Sequence, residues 1–374
     1  MGACGPHFPG PQMGVGRRVW GEIVSGRRPL ALPPPSHFNE FHMKRILLSH
    51  GAGGREMAAL IEEVFLAAYG APDYTGDDSA TLALGAQQLA FTTDSFVVDP
   101  LFFPGGDIGR LAVAGTVNDL LTAAARPLVL SASFILEEGL DLAVLDAIAQ
   151  SMRRTAAESG VAIVTGDTKV VPKGAADKVF ITTAGLGLVL RPGVSGAAAL
   201  PGDKIILTGS VGDHGIAVML AREKLLGAEG IASDAAPLTG LVLRLLQENC
   251  EVHVMRDPTR GGIAASLNEI ARQSQVSMEI EEAQVPVKPA VAAACEALGL
   301  DVFQVANEGK MLIIVAPEDA PRALSLVQQS PYGQEARLIG AVGRGPRGRV
   351  QVRTVIGTAS FLDPPSGDLL PRIC

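Results

Sequence analysis

Aromatic side chains are scarce in this 374-residue chain, at 4% with one Trp and three Tyr. Stacking platforms for single-stranded nucleic acid depend on them. Positive charge is also short, since 31 Lys and Arg against 39 Asp and Glu leave a net −8, and this disfavours binding of polyanions by charge alone. The four cysteines, Cys4, Cys250, Cys295 and Cys374, lie far apart with no C-x-x-C. That spacing suggests neither a zinc knuckle nor a disulfide framework and fits a reducing, cytoplasmic compartment. The longest apolar stretch, 111–136, is broken by Asn118, Asp119, Arg126 and Pro127, so it is no clean membrane span of about 20 residues. Residues 1–42 lack the apolar segment of a signal peptide. The expectation is a soluble protein that engages neither membrane nor nucleic acid.

What is plentiful is small and aliphatic. Hydrophobic residues make up 47% of the chain, with 43 Gly and 25 Pro, a composition that excludes general disorder and reads as helices packed on strands with many glycine turns. Residues 1–42, with four arginines against Glu22 and Glu40 and the run Pro33-Pro34-Pro35, have no sustained periodicity. They read as a disordered extension or a mis-assigned start, Met43 being the expected true one. Apolar positions 57, 60, 61, 64, 65 and 68 predict a helix over 55–69. Extended runs follow at 80–84 and 89–93, then helices at 107–125 and 141–159 and strands at 128–136, 161–165 and 178–190. A boundary near 191–203 closes a first α/β domain, 43–195. The second, 196–354, alternates strands at 204–208, 252–255, 276–280, 310–316, 336–342 and 349–354 with helices between them. In the tail, 355–374, prolines 364, 365 and 371 argue against any regular element, which leaves a mobile arm ending in a thiol.

Four acidic motifs stand at or near strand ends or inside an apolar helix: Asp77-Asp78, Asp94, Asn118-Asp119 and Asp167. Magnesium is usually held by a few carboxylates together with nucleotide phosphates. A single Asp after a strand is ordinarily a turn or capping residue, but Asn118 and Asp119 fall in a helix where an unpartnered carboxylate costs several kcal/mol. Glycine loops at 49–54, 209–215 and 256–262 could cradle phosphate through backbone N–H groups or serve as tight strand-to-helix turns. None matches a P-loop or dinucleotide fingerprint. Lys169 and Glu308 could exchange protons if burial shifts them, and otherwise read as surface ion-pair partners. His50 and His214, in glycine loops, suit capping or turn roles, and Cys250 and Cys295 read as core.

Taken in order, HGAGG (50–54), GDDSA (76–80), TTDSF (92–96), VND (117–119), GDTKVV (166–171), RDPTRGG (256–262), ANEGK (306–310) and the terminal PRIC (371–374) resemble the ATP-binding superfamily of aminoimidazole ribonucleotide synthetase, selenophosphate synthetase and thiamine-monophosphate kinase. Within it the chain is most similar to the HypE family of hydrogenase maturation factors, over about 43–374. The resemblance implies a two-domain PurM-like α/β fold of the α+β type, whose N-terminal domain pairs in a homodimer to form a β-barrel. It implies ATP and Mg2+ as cofactors. It also implies dehydration of a carbamoyl group carried on Cys374 to a thiocyanate, the source of the cyanide ligands of [NiFe] hydrogenase. A HypF-type carbamoyltransferase would supply the group, and a HypC–HypD scaffold would receive the cyanide. By the same resemblance Cys374, Lys169 and Glu308 are catalytic. Asp77, Asp78, Asp94, Asn118, Asp119, Asp167 and Asp257 face the nucleotide, and Asp78, Asp94, Asp119 and Asp167 the metal. A small-molecule kinase or synthetase of the same superfamily is the rival reading, in which Cys374 does nothing.

Overall fold

Two antiparallel-rich sheets carry the chain in a computed structural model, which describes residues 48–51, 54–66, 68, 75–223, 230–365 and 372–374. The expected extension 1–42 and start at Met43 lie outside the described residues. The helix expected at 55–69 is a short α1 (Arg55–Leu60) continued by a π-helical turn, Ile61–Leu66.

The first sheet contains β1 (Ala80–Leu84), β2 (Gln87–Phe96), β5 (Ala125–Glu137), β6 (Ala162–Val171) and β7 (Val179–Val189), in the order β1-β2-β7-β5-β6. A two-residue ribbon, β3 (Phe102–Phe103) with β4 (Gly106–Asp107), escapes any periodicity test. All neighbours are antiparallel except β5 and β6. On one face lie α2 (Ile108–Thr122) and α3 (Leu142–Ser159). The Asp107 carboxylate caps α2 by accepting from the N–H groups of Gly109 and Arg110 at 2.8 and 3.1 Å, and it also accepts from Ser151 Oγ at 2.6 Å. These bonds satisfy orphan donors at the start of an otherwise buried helix. Among the described residues no helix covers the opposite face. Phe91 and Leu186, cross-strand partners, are 41% and 37% exposed, and Ile135 is 42% exposed.

The second sheet runs β14-β13-β10-β12-β8-β11-β9. Its strands are β8 (Lys204–Leu207), β9 (Val252–Arg256), β10 (Ser277–Glu281), β11 (Leu312–Val315), β12 (Arg337–Gly343), β13 (Arg349–Arg353) and β14 (Ala359–Phe361). Around it stand α4 (Asp213–Glu223), α5 (Thr239–Gln247), α6 (Gly262–Gln273), α7 (Pro289–Leu298) and α8 (Ala320–Gln328). All four β11 side chains are buried, which is why that strand reads as an unbroken apolar run.

Two expectations change. The segment GDTKVV lies within β6 rather than past its end, because parallel pairing with β5 extends the strand through Val171. The tail contains a strand before its prolines: β14 pairs antiparallel with β13, and the Arg349 guanidinium sits 4.2 Å over the Phe361 ring.

Candidate functional site

Packing of α2 against β2 brings Asp119 beside Thr92, whose hydroxyl donates to Asp119 Oδ2 at 2.8 Å and also faces the Asp78 carbonyl at 3.0 Å. The loop after β9 adds Asp257, Thr259 and Arg260. Together with Asp78, Asp94, Arg256 and Glu269 they line a cavity of about 500 Å³. At the mouth of α6, Gly262 has φ +59, and a Cβ there would stand 2.5 Å from the Phe303 carbonyl, so the turn that presents Arg260 admits only glycine.

Burial in this cavity pushes Asp78, Asp94, Asp119 and Asp257 in one direction. Burial first, then the charges of Asp257, Asp94 and Asp78, hold Asp119 well above the usual carboxylate range. Burial and Asp78 do the same to Asp257, and burial raises Asp94 against the pull of Arg260. Burial pushes Asp78 up to about 6, although Arg256 Nε lies 2.8 Å from its Oδ2. Carboxylates forced together at such cost are hard oxygen donors that a divalent cation would relieve. Among the described residues no three acids already stand where one ion would be shared.

Beside the cavity, residues 372–374 seat along the end of β2. The Val97 N–H donates to the Cys374 backbone oxygen at 3.0 Å and the Asp99 N–H to the Arg372 carbonyl at 3.3 Å, an antiparallel pairing that ends on the last residue. Arg372 is anchored in turn by its Nε to the Val97 carbonyl at 3.1 Å and by its guanidinium to Asp177 at 2.6 Å. Cys374 is 9% exposed. Burial pushes its thiol up to about 12; Arg260 opposes that rise, while Glu308 and Asp94 add to it. Glu308 is 3% exposed and its Oε1 is without a hydrogen-bond partner. Burial, followed by Asp94, Asp257 and Asp234, holds it well above the ordinary glutamate value.

Of the expected site residues, Asp78, Asp94, Asp119 and Asp257 line the cavity, and Cys374 and Glu308 adjoin it through Arg260 and Asp94. Four residues fall elsewhere. Asp77 accepts from the Gly196 N–H at 2.8 Å, tying the chain between the two sheets to the GDDSA loop. Asn118 spends its amide on the 236–238 backbone, donating to the Ala236 carbonyl at 3.0 Å and accepting from the Leu238 N–H at 2.9 Å. Asp167 and Lys169 pair with each other at 2.9 Å on the exposed strand β6, 61% and 69% exposed, and neither lines the cavity. Sequence reasoning passed over Arg256 and Arg260 as individual residues. Their signal was two guanidiniums bracketing the glycine loop already suspected of facing phosphate.

The model of the AIR synthase related protein N-terminal domain matches residues 76–189, and that of the C-terminal domain matches 201–353. The carbamoyl dehydratase HypE of Rhizobium leguminosarum bv. viciae is 52% identical over 334 residues, covering 88% of this chain and 95% of its own. A crystal structure of the hydrogenase maturation protein HypE in complex with ATP is similar at TM-score 0.75 and 47% identity, over 88% of this chain and all (100%) of that one. A HypE–HypF complex matches at TM-score 0.78 and 46% identity, over 82% of this chain and 100% of that one. Among the described residues no helix is long and apolar enough to cross a membrane.

Proposed function

Because the chain belongs to the AIR synthase related family and, within it, to the HypE carbamoyl dehydratases, we propose that it converts a carbamoyl group on Cys374 into a thiocyanate at the expense of ATP. The observation that carries this reading is the seat of the terminal residue: the Cys374 thiol is buried close enough to Arg260, Glu308 and Asp94 for their charges to act on it, and Arg260 and Asp94 line the acid-rich cavity. A free small-molecule substrate would not require its own C-terminus there, so the kinase or synthetase alternative is not favoured.

A carbamoyl oxygen cannot depart as oxide. ATP with Mg2+, held by Asp78, Asp94, Asp119 and Asp257, would supply the phosphoryl group that makes it a leaving group. The C–S bond to Cys374 persists throughout. The C–O bond breaks as phosphate leaves, and two protons leave the nitrogen as the triple bond forms. Glu308, buried beside the thiol, is placed to take one of them once the site's charge is neutralised and its carboxyl ionises. Arg260 faces the anionic oxygens. Lys169, delivered by another copy of the chain as the free amine, would take the second proton. This assignment is supported by the exposure of Phe91, Ile135 and Leu186 on one face of the first sheet and of Lys169 and Asp167 at its edge strand β6. The second copy would close the two sheets into a barrel and deliver Lys169, with Asp167 as a phosphate or metal contact. A HypF-type carbamoyltransferase as donor and a HypC–HypD-type scaffold as acceptor complete the sequence of reactions, with the tail leaving its seat to reach each. We take the boundary between the two domains to lie near residues 191–203.

Intact-mass spectrometry after incubation with the carbamoyl donor and ATP tests this directly. The adduct is expected on Cys374 and is expected then to lose the mass of one water. An adduct elsewhere, or one that never loses it, refutes the reading.

A further inference from the structure

His214 lies in the first turn of α4, 0% exposed, its ring edge-on to Phe103 at 5.5 Å between centroids. Its two nitrogens have different neighbours. Nε2 stands 2.6 Å from the Ile373 carbonyl, and Nδ1 stands 2.8 Å from Ser233 Oγ. A carbonyl oxygen only accepts, so the proton belongs on Nε2. Ser233 Oγ already accepts from the Ala235 N–H at 3.1 Å, which leaves its own hydrogen to be donated to Nδ1. The chain Ala235 N–H to Ser233 to His214 to Ile373 therefore runs in one direction and fixes a single tautomer. Burial favours the neutral ring that this chain requires.

The held carbonyl is one residue from the reacting sulfur. Because the peptide bond after Ile373 is planar, only the N–Cα and Cα–Cβ torsions of Cys374 separate it from Sγ. The Val97 N–H bond to the Cys374 backbone oxygen constrains the terminal backbone as well. With both oxygens held, side-chain rotation alone sets where the sulfur points. Arg222 adds a grip one residue earlier, its guanidinium reaching the Arg372 carbonyl and its Nε the Asp99 carbonyl at 2.8 Å. All of these contacts are to backbone, so they fix the position of the chain end without engaging the side chain of Cys374.

We propose that His214 is a positioning residue for the dehydration: as the Nε2–H tautomer set by Ser233, it holds the last peptide so that the group on Cys374 faces Arg260 and Glu308. The inference rests on the dehydratase reading for its effect on turnover, but the holding itself is testable without it.

The test uses the full-length protein, carbamoylated on Cys374 for single turnover and unmodified for alkylation of Cys374 by iodoacetamide, with thermal melts alongside. Loss of one hydrogen bond of this kind corresponds to roughly five- to tenfold. His214→Ala should slow single-turnover conversion at saturating ATP by that factor, leave the KM for ATP unchanged, and speed alkylation of Cys374 by a similar factor. His214→Gln, whose amide nitrogen can reach the place of Nε2, should recover most of both rates. Ser233→Ala, which frees the tautomer, should shift both in the same direction by about two- to threefold. The proposal is overturned if His214→Ala changes the melting temperature alone, or if His214→Gln melts like wild type yet recovers neither rate. If His214→Ala does not fold, an unaltered alkylation rate in Ser233→Ala overturns it. Faster alkylation in a protein whose carbamoyl adduct never loses water would support the holding role and refute the dehydratase reading instead.

Discussion

The seat of Cys374 discriminates against its own thiolate, and the size of that discrimination can be measured. Burial raises the thiol from 9 to about 12, a difference of roughly 4 kcal/mol between seated and released thiolate. A group whose pKa rises on docking stabilises the docked state fully below its released value and loses that contribution as pH climbs through the docked one. Docking is therefore insensitive to pH in the neutral range and fails progressively between pH 9 and about 12. Thiolate absorbance, taken as wild type minus Cys374→Ser to remove the other three cysteines, should give an apparent ionisation of Cys374 above 9. Arg372→Ala, which removes the ion pair to Asp177 and the bond to the Val97 carbonyl, should bring it back toward 9. A neutral carbamoyl on the sulfur abolishes the effect, so the seat accepts the modified tail over the ionised thiol at high pH. An apparent ionisation at or below 9 in wild type, or no change on Arg372→Ala, would show that the seat does not hold the thiol away from water.

Asp119→Asn should weaken ATP binding at least about tenfold in a nucleotide titration, since it removes one of the few carboxylates available to a phosphate-bound cation. The same change should leave the free protein as stable or more stable at neutral pH. Asp119 is an acid raised by burial and by its neighbours' charges, so its contribution to stability is greatest at acid pH and is lost as pH rises, and the melting-temperature profile of the variant should be flatter there. Glu308→Gln should fold and bind ATP normally, because burial already favours a neutral carboxyl, while slowing loss of water from the adduct by about 10²–10⁴-fold as followed by intact mass. Phe91→Asp, placing charge in the exposed sheet face opposite Leu186, should yield a monomer by light scattering and abolish turnover. Mixing Lys169→Ala with Cys374→Ala protein, each inactive alone, should restore conversion on the Lys169→Ala chains; no restoration would place Lys169 in the same chain as its target thiol.

The acidic half of the site was legible because its residues announce a cost. Asp119 in a helix whose other residues from Leu111 to Thr122 are all buried, and Asp94 on the helix-facing side of a strand whose neighbours Thr92 and Phe96 are buried, violate the apolar pattern around them. Such violations persist where function requires them. Asn118 violates the same pattern for a different reason. Its amide satisfies a backbone that the helix must cross, and a single chain of letters does not distinguish a polar side chain that pins a loop from one that meets a ligand. Asp77 is the same case: it neighbours Asp78 in sequence, but its carboxylate answers the Gly196 N–H.

Asp167 and Lys169 mark a deeper limit. Their motif is as plain as the others, yet β6 carries them on an exposed edge, paired with each other. Periodicity predicts which residues of a strand share a face but is silent on whether that face meets the same chain or another. The strand itself offers the clue. Val164 and Val170 are 60% and 68% exposed beside them, apolar surface that an edge strand of a stable monomer would replace with charge. A motif of ligand-type residues interleaved with exposed valines is the pattern expected of an edge completed by a second copy, where one pairing would both bury the valines and aim the lysine. The terminal thiol presents the converse case. Sequence placed it on a free arm, and its seat is built from backbone contacts at Val97, Asp99 and Ile373 together with a histidine that looked like a turn residue. Carbonyl and amide groups occur at every position, so a dock made of them leaves almost no trace in composition or spacing. Among the described residues three side chains distinguish that dock from an ordinary loop end: His214, whose one donor is spent on the chain's penultimate carbonyl, Arg222 on the Arg372 carbonyl, and Asp177 on the Arg372 guanidinium.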